Sequence, residues 1–195
     1  MPRKSGKNKS TNQLRIIGGR WRGRKISFPS LDGLRPTGDR IRETLFNWLG
    51  QNLAGQHVVD LFAGSGALGF EALSRGASSV VFVDVASEAC RHLSQTIDSL
   101  DTDAADTKVS VAQQTAEAFV QSAPKNRTNL LFLDPPFAAD MHSRAIELVI
   151  GSKILAPNAL VYLESPVGTE IDYPAHWQDF RKKTAGTVCY QLLQT

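Results

Sequence analysis

The run His57-Val58-Val59-Asp60-Leu61-Phe62-Ala63-Gly64-Ser65-Gly66-Ala67-Leu68-Gly69 constrains the fold more than any other part of the chain. Val58, Val59, Leu61 and Phe62 form the nearly continuous apolar run of a strand covered on both faces, as in a parallel sheet. Gly64 and Gly66 then break the strand, and Ala67, Leu68, Ala72 and Leu73 set an apolar stripe at helical spacing that ends by Gly76. Strand, glycine turn and helix in this order form a general nucleotide-binding device, because backbone N–H groups and the helix N-terminus face the ligand. The spacing Gly64-x-Gly66-x-x-Gly69 matches a dinucleotide fingerprint, but that match alone does not choose the nucleotide.

Two acids narrow the choice. Asp60 sits inside the strand end, where a carboxylate can hold a cationic amine. A second strand, Ser79-Val80-Val81-Phe82-Val83-Asp84, ends in an acid suited to ribose hydroxyls and is followed by Val85. Together they resemble the S-adenosylmethionine site of class I methyltransferases, with Asp60, Phe62, Ala63, Gly64, Ser65 and Gly66 in the first motif and Asp84 with Val85 in the second. The resemblance implies S-adenosylmethionine as cofactor; a nicotinamide enzyme would need hydride-transfer residues, and none is evident.

The most specific motif is Asn129-Leu130-Leu131-Phe132-Leu133-Asp134-Pro135-Pro136-Phe137, a buried strand ended by an acid, two prolines and an aromatic ring. The prolines fix the backbone and carry no N–H, so the carbonyls of Asp134 and Pro135 are free to face a ligand. Asp134 and a neighbouring carbonyl can accept both hydrogens of an exocyclic amine and turn its lone pair toward a methyl donor. Phe137 offers a face on which an extruded base stacks. Asp134, Pro135, Pro136 and Phe137 are therefore the candidate catalytic residues.

The other segments supply the frame. Strands are expected at 108–112, 129–133 and 159–164, helices at 67–73, 87–100 and 141–150, and an antiparallel hairpin at 179–193 turning near Ala185-Gly186. Thr115 and Ala116 open a helix at a strand's carboxyl end, where they either hold an adenine ring or simply cap the helix. Glu164 ends a strand before Ser165-Pro166 and is read as structural. The four histidines lack metal-ligand spacing, so no metal site is proposed, and Cys90 with Cys189 are read as reduced thiols. No apolar run approaches the roughly 20 residues of a bilayer span and the N-terminus lacks a signal-peptide core, so a cytoplasmic protein is expected.

Charge is divided unevenly. The first 42 residues hold 12 Lys+Arg against Asp32 and Asp39, while the rest of the chain is net −7, which points to a polyanion held near the N-terminus. Residues 1–13 have no apolar cluster to order them and are expected to be mobile. Residues 14–28 read as a basic hairpin whose Arg15, Arg20, Arg22, Arg24 and Lys25 can fork onto phosphates, while Trp21 either stacks on a base or packs the hairpin down. A helix follows Pro36, with Ile41, Leu45, Phe46 and Leu49 on one face, Thr37 or Asp39 as cap and Gly50 at its end. Arg35, Thr37 and Arg40 near its start are site candidates; Arg42 and Glu43 are assigned to a solvated face.

Four ordered blocks then carry a closer resemblance: Arg15-Ile16-Ile17-Gly18-Gly19-x-Trp21-Arg22-Gly23-Arg24; Leu34-Arg35-Pro36-Thr37 with Asp39-Arg40-x-Arg42-Glu43-Thr44-Leu45-Phe46-Asn47; Phe62 to Gly69; and Asp134-Pro135-Pro136-Phe137. Over nearly its whole length the chain resembles the RsmD family of bacterial methyltransferases. The resemblance implies an α/β, Rossmann-like class I fold with a seven-stranded, mostly parallel sheet and an antiparallel last strand. It also implies methyl transfer to the exocyclic N2 of a guanine in 16S rRNA, of the guanine(966) type, on free RNA or within the small ribosomal subunit, by a monomer. The corresponding division is a tail at 1–13, an RNA-binding extension at 14–50 and a methyltransferase domain at 51–195. The chain departs from the class pattern at Gln114-Thr115-Ala116, where a polar Asp or Asn often stands. Adenine or cytosine amines as targets, or a non-catalytic ribosome-assembly role, are the rival readings.

Overall fold

A computed structural model of the protein describes residues 11–29, 37–100, 107–136 and 141–195. The tail at 1–10, Arg35, the acidic loop 101–106 and Phe137 lie outside the described residues.

Two strands, β1 (Thr11–Arg15) and β2 (Lys25–Pro29), form the N-terminal hairpin, and α1 (Asp39–Leu49) follows. The chain then alternates through β3 (His57–Asp60), α2 (Ala67–Ser74), β4 (Ser79–Asp84), α3 (Ser87–Ser99), β5 (Lys108–Gln113), α4 (Ala116–Ser122), β6 (Thr128–Leu133) and α5 (Met141–Ser152). It closes with β7 (Leu155–Pro166), β8 (Gln178–Ala185) and β9 (Val188–Gln194). The large sheet has the order β5-β4-β3-β6-β7-β9-β8. The pairings along β5-β4-β3-β6-β7 are parallel, whereas β9 runs antiparallel to both β7 and β8. This is the doubly wound class I arrangement, with strand order reversing between β3 and β6. A ligand crevice is expected outside the carboxyl ends of the strands at such a switch point.

Both sheet faces are covered. One core packs Val58, Val80, Phe82, Phe132 and Tyr162 of the sheet against α1, α2 and Leu14, Ile16, Ile26 and Phe28 of the hairpin. The other packs Val59, Leu131, Leu133 and Val161 against Phe119 of α4 and Ala145, Ile146 and Val149 of α5. Unbroken apolar runs become strands here because both faces of the central strands are covered, by helices and on one side also by the hairpin.

Three expectations change. β1 starts at Thr11, so Thr11, Asn12 and Gln13, assigned by composition to a mobile tail, pair with Pro29, Phe28 and Ser27. Helix α1 is capped by Gly38 without a side-chain hydrogen bond, rather than by Thr37 or Asp39. Arg42 is not on a solvated face: it is 1% exposed. Its guanidinium donates to the backbone oxygens of Thr37 (3.1 Å) and Arg15 (3.0 Å) and to Asp39 (2.6 Å), and it lies 3.5 Å from Glu71. Glu43, by contrast, is exposed as expected.

Glu71 is the centre of this buried network. Its Oε2 accepts the Ile17 N–H and its Oε1 the Gly18 N–H, both at 2.8 Å, and Arg75 donates to Oε1 through Nε (3.0 Å) and a terminal nitrogen (2.8 Å). Ser74 adds to the clamp, donating to the Gly18 oxygen (2.6 Å) while accepting from Trp21 N–H (2.9 Å). Gly19 has φ +74°, and a Cβ there would strike the Ser74 carbonyl. The Gly18-Gly19 pair is thus required by close approach to the last turn of α2. Trp21 is partly buried against the first core, so its ring packs the hairpin down, with the Arg20 guanidinium 5.9 Å from its centroid.

Candidate active site

A cavity of about 1250 Å³ opens along the carboxyl ends of β3, β4, β6 and β7. This exceeds the roughly 300–1,000 Å³ of a pocket for one small ligand, so there is room for two reactants. The turn after β3 contributes Asp60, Phe62, Ala63, Gly64 and Ser65; the end of β4 contributes Asp84 and Val85; and Thr115 and Ala116 come from the start of α4. Asp134, Pro135 and Pro136 enter from β6, and Thr37 from the segment before α1. Every described residue expected in the cofactor or catalytic set lines this cavity except Gly66. Gly66 instead forms the left-handed N-cap of α2 (φ +75°), where a Cβ would strike Phe70 and Leu93, so it shapes the turn from behind.

The glycine turn is braced by acids. Asp84 Oδ2 accepts the Gly64 N–H and Oδ1 the Ala86 N–H, both at 2.8 Å. Each carboxylate oxygen keeps a further lone pair for a ligand hydroxyl. Asp60, 3% exposed, accepts the Gly69 N–H at 3.0 Å. Burial pushes its pKa up to about 7, aided by the Asp84 charge and opposed by the Gly69 hydrogen bond. A cation brought against Asp60 would restore its ionised form. Thr115 uses its hydroxyl to accept the Ala118 N–H at 3.2 Å, so it caps α4 while lining the cavity. Val85 stands 68% exposed beside Asp84, an aliphatic surface on the rim.

This tuning of Asp60 carries a testable cost. Its folded value of about 7 exceeds the ordinary 3.8, so the folded state binds more protons than the unfolded chain between those values. The stability this group contributes is full below pH 3.8 and lost as pH rises through 7. Asp60→Asn, which keeps an acceptor for Gly69, should therefore stabilise the ligand-free protein above pH 7 by up to about 4 kcal/mol. Denaturant titrations at a series of pH values would show the gap opening with pH, and parallel stability curves would refute the assignment.

At the other end of the cavity, acids converge that the motifs do not pair. Asp134 is raised well above the usual carboxylate range by burial, by Glu164 and by Asp60, while the Thr37 side chain opposes the shift. Glu164, read from sequence as structural, lines the cavity at 4% exposure. It is also raised by burial and held down by hydrogen bonds from Thr37 and from Tyr162, whose hydroxyl donates to Oε1 at 2.8 Å. Thr187, from the β8–β9 turn, and Val188, the first residue of β9, complete that wall. Only the antiparallel return of β9 beside β7 brings residues so late in the chain to this edge.

The basic hairpin turn is elsewhere. Ala67 and Leu68, at the start of α2, line the cavity, whereas Ser74 at its end holds the turn at Arg20 and Trp21. Eight residues of helix place that turn about 12 Å away along α2, at the amino edge of the sheet. Arg24 donates to the Ser99 carbonyl at the end of α3, and Arg15 and Lys25 are exposed along the hairpin. None of Arg15, Arg20, Trp21, Arg22, Arg24 or Lys25 lines the cavity. Arg40, exposed in the first turn of α1, lies next to the lining residues Gly38 and Ile41.

Known proteins share the sequence pattern and the fold over nearly the whole chain. The family described as Conserved hypothetical protein 95 matches residues 14–194. The Ribosomal RNA small subunit methyltransferase D of Haemophilus influenzae is 39% identical over 182 residues, covering 93% of this chain and 94% of the relative. Its namesake from Escherichia coli K12 is 40% identical over 192 residues, covering 98% and 94%. The solved structure of the Escherichia coli methyltransferase yhhF superposes with a TM-score of 0.81 at 41% identity, covering 94% of this chain and 98% of that one. With most of the hairpin, the glycine turn and the Asp-Pro-Pro segment inside the matched span, the chain belongs to the family of the ribosomal RNA small subunit methyltransferases D, the RsmD family.

Proposed function

We propose that the protein transfers a methyl group from S-adenosylmethionine to the exocyclic N2 of a guanine in 16S rRNA, acting as a cytoplasmic monomer on the small ribosomal subunit or its RNA. The observation that carries this reading is that Asp134-Pro135-Pro136 opens into the same cavity as the glycine turn, Asp60 and Asp84. When bound, the cofactor supplies an electrophilic methyl group on a sulfonium. Asp60 would take the cofactor's ammonium, Asp84 its ribose hydroxyls, and Val85 with Ala116 the faces of its base. Asp134 and the Pro135 carbonyl would accept the hydrogens of the target amine and turn its lone pair, otherwise delocalised into the ring, toward the donor. Catalysis of this kind is mostly positioning, and the amine becomes acidic only once it is methylated.

The RNA contacts fall into two sets. Arg40, at the cavity mouth, would meet phosphates beside the flipped nucleotide. The hairpin cations would grip RNA farther along, which suits a substrate much larger than the enzyme.

Labelled S-adenosylmethionine incubated with unmodified small subunits and, separately, with free 16S rRNA should yield N2-methylguanosine on at least one of them. Methyladenosine or methylcytidine would preserve the chemistry and sink the guanine reading. Cofactor binding without transfer to either substrate would leave the assembly role standing.

A further inference from the structure

We propose that Glu164 is a specificity residue: once both acids are ionised, it forms with Asp134 an acceptor-only wall in which Asp134 takes the exocyclic amine of the target guanine and Glu164 its ring N1–H. This rests on the guanine reading above and extends it to a residue that the Asp-Pro-Pro motif does not contain.

Register brings the two acids together. β6 and β7 are parallel neighbours with Leu133 opposite Leu163, so Asp134 and Glu164 are the next residues on adjacent strands, which lie about 4.8 Å apart. Both face the cavity. Glu164 is also anchored: Tyr162 donates to Oε1 at 2.8 Å, the single Thr37 hydroxyl lies within reach of both carboxyls and can donate to one of them, and His142 bonds the Glu164 backbone. Tyr162 is itself fully buried, held edge-on against Phe132 at 6.2 Å between ring centroids. A carboxylate fixed this way presents its acceptor in one place.

An acceptor-only wall suits one base edge in particular. Guanine presents contiguous donors, the ring N1–H and the amine at C2, and a flipped base is read along that edge. Adenine and cytosine carry a ring lone pair beside their amine, which would meet the Glu164 oxygen without a proton between them. A site built to accept a hydrogen bond discriminates strongly against an analogue that lacks the donor, because the buried group is left unpaired.

2-Aminopurine isolates this contact. It keeps the amine at C2 but has a lone pair at N1. RNA carrying guanine or 2-aminopurine at the nucleotide identified above would be methylated in single-turnover assays by the wild type and by Glu164→Gln, with cofactor affinity measured alongside. The wild type should prefer guanine by on the order of a hundredfold or more. The glutamine amide can donate to the N1 lone pair, so the variant should narrow that preference at least tenfold with S-adenosylmethionine affinity unchanged. Comparable rates on the two bases with the wild type would overturn the proposal without recourse to any variant, and so would a Glu164→Gln enzyme that keeps the wild-type ratio. A target base other than guanine in the nucleoside assay would instead overturn the reading on which the proposal rests.

Discussion

Glu71→Ala is expected to destabilise the fold by about 3–5 kcal/mol, the cost of breaking a buried ion network by removing one partner. Glu71 is 0% exposed and serves two arginines and two backbone N–H groups at once. Its loss leaves the buried Arg75 without a carboxylate partner, keeping only Gln51 and the face of Phe46 at 4.8 Å, whereas Arg42 keeps Asp39 and its carbonyl acceptors. The Ile17 and Gly18 amides lose their acceptor at the same time, so the hairpin should loosen first. Urea titration gives the magnitude, and trypsin cleavage near Arg20 and Arg22 gives the location. A loss below about 1 kcal/mol, the scale of an exposed pair, would mean that the network is not desolvated as described.

Asp134→Ala should lower methyl transfer by on the order of a thousandfold, or about 4 kcal/mol of transition-state stabilisation, while S-adenosylmethionine affinity changes little. Asn retains one acceptor and should recover part of the rate. The pH profile should be unusual as well. Because burial and the neighbouring Glu164 and Asp60 hold Asp134 protonated to higher pH than an ordinary aspartate, the accepting carboxylate is regained only as pH rises. The acidic limb of kcat/KM should accordingly lie above the usual carboxylate range, and it belongs to the coupled Asp134–Glu164 pair rather than to either acid. Removing the like charge in Glu164→Gln should move that limb to lower pH. An acidic limb at the ordinary position in both enzymes would refute the coupling.

Local pattern made much of the molecule legible. The apolar runs at 58–62, 79–83 and 129–133 read as buried strands, since each is too short for a long helix and is bounded by turn residues, and they form β3, which stops at Asp60 before Leu61 and Phe62, and β4 and β6. The glycine turn and the Asp-Pro-Pro segment carry their geometry in residues that restrict or free the backbone over a few positions. That is why Asp60, Asp84 and Asp134 were identifiable without a structure and why they meet in one cavity.

Arg42 shows where such reasoning stops. A charged residue within a helix reads as solvated, and its acidic partner Glu71 stands 29 positions away on another helix. Glu164 is a related case: a strand-ending acid is featureless in sequence until register sets it beside Asp134. The basic turn is legible in composition as a cluster of cations, but its position, at the amino edge about one α2 length from the cavity, depends on Glu71 and Ser74 clamping it there.

The sequence by itself determined the strands, the helices, the turn chemistry and the acids at the strand ends, because backbone preference and apolar periodicity act between residues a few positions apart. Tertiary structure alone decided which charges are buried and paired, which acids share a wall of the cavity, and which end of the molecule carries the basic turn. Those outcomes depend on solvent exclusion and on charge–charge distances between segments distant in the chain, and neither exists until the sheet has assembled.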